Sequence, residues 1–114
     1  MFIPHYKPIT SKRLRQLERN TSSERYRRWH DYVLERDGHK CQYPGCTKST
    51  DLQVHHIKRF KNFSHLRYET FNGITLCRYH HGQVTGIEER YELTFFLITN
   101  SNEKSFKEKN NTIE

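Results

Sequence analysis

Leu52-Gln53-Val54-His55-His56-Ile57, then Asn72-Gly73-Ile74-Thr75-Leu76-Cys77, then His80-His81-Gly82: these three blocks decide how the chain is read. They hold four of the eight histidines, with an Asn and a Cys. An unpartnered buried polar group costs roughly 1–3 kcal/mol in proteins, so ordinary cores do not collect imidazoles. Metal binding is the first chemical explanation to weigh. The first block reads as a strand, in which side chains alternate between faces. Leu52, Val54 and His56 share one face; Gln53, His55 and Ile57 share the other. Neighbouring His55 and His56 therefore point apart and are suited to two different jobs.

The cysteines suggest a separate metal. Cys41 and Cys46 flank a Pro-Gly turn in a C-x4-C knuckle, and Cys77 with His80 makes a C-x2-H pair. Three cysteines and one histidine complete a tetrahedral zinc site. Two pairs from separated turns would clamp a small fold around one ion. His81 and His39 compete with His80 for the fourth ligand.

Outward from these blocks, the composition sets limits. The chain has 114 residues, 32% of them apolar, which fits one small domain with a thin core and favours a structural metal as a staple. An odd cysteine count argues against a disulfide framework. Reduced cysteines, no signal peptide and no long apolar run lead us to expect a cytoplasmic protein with no membrane partner. The net charge of +7 points to a polyanionic partner, most simply nucleic acid.

Met1 to Thr10 is expected as an extended arm. A short basic helix follows from Lys12 to Arg19, ending near Asn20. Thr21 and Glu24 have capping-box spacing and mark a fresh helix start. Tyr26, Trp29, Val33 and Leu34 lie on one face of that helix, and Gly38 stops it. The basic residues between Lys7 and Arg28 suit phosphate contacts. Lys58 to Phe71 is a basic and aromatic loop containing Lys58, Arg59, Phe60, Lys61, Phe63, His65, Arg67 and Tyr68. Ile74 to Leu76 is a second short strand, followed by a short helix carrying His81. Ile87 to Leu97 is expected as a further helix, with strand as the alternative near Thr94 to Thr99. The polar stretch from Asn100 to Glu114 reads as a frayed tail.

The histidine cluster has a catalytic reading of its own. His55 and His81 would hold one divalent ion, leaving His56 as a general base for water at neutral pH. Asn72 would hydrogen-bond across the strand-loop-strand turn and fix the His56 ring. The competing reading is a non-catalytic zinc module that binds DNA or RNA.

On His55-His56-Ile57, Asn72 to Cys77 and His80-His81, the chain resembles the HNH endonuclease family. Trp29, Val33 to Gly38 and Cys41-Gln42 resemble the lead-in of its small stand-alone phage and bacterial members. The resemblance spans about Tyr26 to Tyr91 and departs from the family in the widened first Cys pair and in His80 standing for the last Cys. It implies an α+β fold, a zinc-stapled ββα-metal core with N-terminal basic helices and a C-terminal helix. It also implies metal-dependent hydrolysis of DNA phosphodiesters. The carried-over roles are His55 and His81 as ligands of a catalytic divalent ion (Mg²⁺, Mn²⁺ or another transition metal), His56 as base and Asn72 as the central Asn. Cys41, Cys46, Cys77 and His80 take the structural Zn²⁺. Some members have a further ligand one turn after the last His; here that position is Thr85. The implied organisation is a basic arm over residues 1–20, the nuclease domain over 21–99 and a disordered tail over 100–114.

Overall fold

The computed structural model describes residues 10–59 and 64–111. The expectations for positions 1–9, for Phe60, Lys61 and Phe63, and for the last three residues lie outside that range. The architecture is α+β: helix α1 (Ser11–Arg36), strand β1 (Leu52–His56), strand β2 (Gly73–Cys77), helix α2 (Arg78–Val84) and helix α3 (Glu92–Asn111). Three short 3-10 turns join them, over Ser64–Leu66, Thr70–Asn72 and Glu88–Tyr91.

The two expected N-terminal helices are one. No Gly or Pro interrupts positions 11 to 36. The Asn20-Thr21-Ser22-Ser23 run costs at most about 0.7 kcal/mol per residue in helix propensity, too little to stop a helix already propagating. The helix ends where expected, at Gly38 with φ +67°, and the His39 N–H closes back on the Leu34 carbonyl at 2.9 Å. Trp29, Val33 and Arg36 form its buried stripe, while Tyr26 is exposed.

Residues 92–111 are helical as well. The strand alternative at Thr94 to Thr99 is therefore overturned, as is the frayed tail over the described residues 100–111. The boundaries expected at 20/21 and 99/100 both fall inside helices. What fixes the polar end of α3 is a buried ion pair that it caps. Arg36 donates from Nε to Asp37 Oδ1 at 2.9 Å and from Nη2 to Oδ2 at 3.1 Å. Both side chains are fully buried. Asn102 Nδ2 donates to Asp37 Oδ1 at 3.0 Å, and Glu103 lies 3.5 Å from Arg36 Nη1. Tyr32 donates to Glu103 and meets Phe106 edge-on. The remaining Arg36 donors reach the Thr70 and Gly73 carbonyls at 2.7 and 2.6 Å, and the Thr75 N–H donates to Asp37 Oδ2 at 2.9 Å. Two adjacent charges thus join α1, β2 and α3.

The strands pair antiparallel, with Leu52 opposite Cys77, His55 opposite Ile74 and His56 opposite Gly73. Ile57, Ile74, Leu76, Val84 and Phe95 form the core between the sheet, α2 and α3. All of β2 is buried, because α1 packs against it. Gly73 sits where that packing is tightest. A Cβ there would stand 2.6 Å from Trp29 Cζ2 and 2.8 Å from Val33 Cγ2. Gly73→Ala is expected to cost about 1–3 kcal/mol through overpacking. Gly82→Ala, on the helix α2 with nothing within 4 Å, should instead gain about 0.5–1 kcal/mol. Denaturant midpoints of the two variants, moving in opposite directions, check this.

Candidate functional site

The Cys41–Cys46 knuckle is built by its Pro-Gly pair. Gly45 has φ +85°, the value the third residue of a type II turn requires, and the Cys46 N–H donates to the Tyr43 carbonyl at 2.9 Å. The Gln42 N–H donates to the Thr75 carbonyl at 2.9 Å, which brings the knuckle against β2. There it meets Cys77, the last residue of β2 and the N-cap of α2. Ligand atoms of Cys41, Cys46, Cys77 and His80 all lie within 4.8 Å of one another. His80 Nδ1 is 3.3 Å from Cys77 Sγ and 3.7 Å from Cys41 Sγ. A Cys₃His set of this kind can bind a metal such as zinc.

Burial pushes the Cys41 thiol up to about 11. Burial acts on Cys77 in the same direction, but backbone hydrogen bonds at His80 and Tyr79 and its sister cysteines bring the balance below the ordinary value. A metal would need the thiolate at both. Tyr43 stacks on the His80 ring at 4.0 Å and 4° between planes, fixing its orientation. His39 is exposed and stands outside the cluster.

His80 and His81 are separated by helix geometry. Adjacent residues on a helix project about 100° apart, so His80 joins the cysteines while His81 turns toward β1. His81 meets His55 with ring centroids 5.4 Å apart, edge to face. His55 is 6% exposed, lies against Phe95, and its Nε2 is buried with no hydrogen-bond partner among the described residues. A buried imidazole nitrogen left without a partner beside a second imidazole fits a metal ligand. Burial first, then the neighbouring His81, hold the His55 pKa down to about 4. The ring is therefore neutral at pH 7, the form that ligates a metal.

His56, the next residue, points the other way. Its ring stacks on Trp29 at 4.2 Å with 13° between planes. His56 Nε2 lies 3.0 Å from the Arg67 carbonyl. A carbonyl only accepts, so in the neutral ring Nε2 carries the hydrogen and Nδ1 the lone pair. Burial, then the charge of Arg67, keeps its pKa below the ordinary value, against the opposing effect of the bond to the Arg67 carbonyl.

Asn72 is fully buried and ties the two ends of the β1–β2 loop together. Its Oδ1 accepts from the Lys58 N–H at 2.8 Å, and its Nδ2 donates to the Lys58 and Leu66 carbonyls, both at 3.2 Å. Lys58 itself pairs with Glu92 at 2.7 Å. On α1, Arg25, Arg27 and Arg28 are exposed, and the Arg25 guanidinium lies 4.8 Å over the Tyr68 ring. Sequence reasoning missed the Arg36–Asp37 support beneath β2 and the pairing of Trp29 with His56; the place of Trp29 on an apolar helix face and in the lead-in to the first Cys pair named no partner for it. No helix of the described residues is long and apolar enough to cross a membrane. No protein-family model, curated protein or solved structure matches the chain.

Proposed function

We propose that the chain is a metal-dependent endonuclease of the HNH type that hydrolyses DNA phosphodiester bonds. The observation that carries this reading is the opposed pair on one strand. His55 carries a buried nitrogen with no partner among the described residues and meets the His81 ring edge to face, while His56 turns a neutral ring the other way, onto Trp29. His55 and His81 would hold a divalent ion, Mg²⁺, Mn²⁺ or another transition metal, which when bound supplies Lewis acidity at the phosphate and the leaving 3′ oxygen.

His56 takes the proton of the attacking water on its unprotonated nitrogen, Nδ1 in this tautomer. The water oxygen bonds to phosphorus, the bond to the 3′ oxygen breaks, that oxygen takes a proton from solvent water, and His56 returns its proton to solvent. Asn72 keeps the loop ends in register, and with them the carbonyl that orients His56. Arg25, Arg27 and Arg28 on α1 bind backbone phosphates, so affinity for duplex DNA falls steeply with salt. The Cys₃His quartet holds structural zinc and anchors α2, which carries His81.

Supercoiled plasmid tests this. Protein that retains zinc but is stripped of other metals should not cleave. Adding back Mg²⁺, Mn²⁺ or Ni²⁺ should produce nicked or linear DNA with at least one of them. His55→Ala and His81→Ala should abolish that cleavage at unchanged zinc content. A folded, zinc-loaded wild type that binds DNA but fails to cleave it with any of the added metals would overturn the reading in favour of a binding module.

A further inference from the structure

We infer that Trp29 is the positioning residue that fixes the His56 ring for proton transfer, an inference that rests on the endonuclease reading. Trp29 is 3% exposed, and its indole lies parallel to the imidazole at 4.2 Å and 13°. A role in the core alone would not need that parallel face. Contact with Gly73 and Val33 would satisfy it.

Three features hold the two rings as a unit. Trp29 Nε1–H donates to the Glu69 carbonyl at 2.9 Å. His56 Nε2 lies 3.0 Å from the carbonyl of Arg67, two residues earlier in the same loop. Gly73, opposite His56 in the sheet, is the missing side chain that lets the indole slide beneath the strand. The imidazole is thus gripped on its face by α1 and at its edge by the loop, which leaves it little freedom about its side-chain torsions. A base held this way is pre-aligned for the water it must deprotonate, and small misplacements of such groups are costly.

Trp29→Leu and Trp29→Met remove the aromatic face; Trp29→Phe keeps a smaller one and loses the bond to Glu69 and the part of the ring that covers Gly73. In wild-type protein, NMR should find the His56 ring protons shifted upfield by the indole ring current. Trp29→Phe should keep part of that shift and most of the cleavage rate. The folded Leu or Met variant should lose the shift, and kcat should fall about 10–100-fold with KM for DNA and zinc content unchanged. Wild-type cleavage rates in either non-aromatic variant, or an unshifted His56 ring in the wild type, would overturn the assignment. Should both non-aromatic variants fail to fold, the wild-type shift and the Trp29→Phe rate still decide it. A wild type with the shifted ring and no cleavage would instead overturn the endonuclease reading, so the NMR arm separates the two failures.

Discussion

Cys77→Ala is expected to leave the chain unfolded at 25 °C and without stoichiometric metal. Cys77 belongs to three structures at once. It ends β2, caps α2 and lies within 3.3 Å of His80 Nδ1. Its loss would leave three of the four side chains that could hold the ion, and would remove the one that the sheet supplies to the cluster. In small zinc domains a structural ion contributes apparent free energies of about 10–16 kcal/mol, against a total stability of about 5–15 kcal/mol for an ordinary domain. The apolar core here is small, centred on Ile57, Ile74, Leu76, Val84 and Phe95, so it has little reserve to offset the loss. The same logic applies to the wild type under chelation. Metal content by mass spectrometry and circular dichroism melts with and without a strong chelator check both. The pH dependence has a definite sign. Protons compete for thiolates, and burial drives the Cys41 thiol up to about 11, so metal affinity should fall as pH falls. An unchanged melt in the metal-free protein would contradict this.

Asp37→Ala should be nearly as damaging, by a different route. The carboxylate accepts four hydrogen bonds, two from Arg36, one from the Thr75 N–H and one from Asn102. Removing it strands a fully buried guanidinium whose remaining ionic partner, Glu103, lies at 3.5 Å. Breaking a buried pair from one side costs about 3–5 kcal/mol, or roughly 15–30 °C of melting temperature for a domain of this size. Glu35→Ala, exposed on the same turn of α1, should change stability by less than about 0.5 kcal/mol. A loss below about 1 kcal/mol in Asp37→Ala would mean that the pair does not hold the helices together.

This second case also marks where the sequence stops being informative. In a linear reading, Arg36-Asp37 looks like the solvated end of a helix, and Asn102-Glu103 looks like a polar tail. Each is polar because its partner is the other, across the core, and nothing local reveals that. The continuity of α1 through Asn20 to Ser23 was hidden for a related reason, since capping residues report a preference that a propagating helix overrides. The Cys41, Cys46, Cys77 and His80 grouping was legible because ligand spacing around a turn is a local constraint. The opposed directions of His55 and His56 were legible because strand alternation is local too. The C-x2-H spacing favoured His80 over His81 and His39, but spacing alone left the competitors standing, since adjacent histidines on a helix are distinguished only by what each faces. Here the cysteines face one and His55 faces the other.

The central claim, that His56 is the base of a metal-dependent hydrolysis, is tested most directly by single-turnover cleavage of a duplex. Wild type and His56→Ala would be compared with the same added metal and equal zinc content. The Asn72 bonds that hold the loop ends do not involve the His56 side chain, so the variant should fold and bind DNA. Its cleavage rate should fall by about 10²–10⁴-fold, the usual contribution of a positioned base. Equal rates in the two proteins would contradict the account.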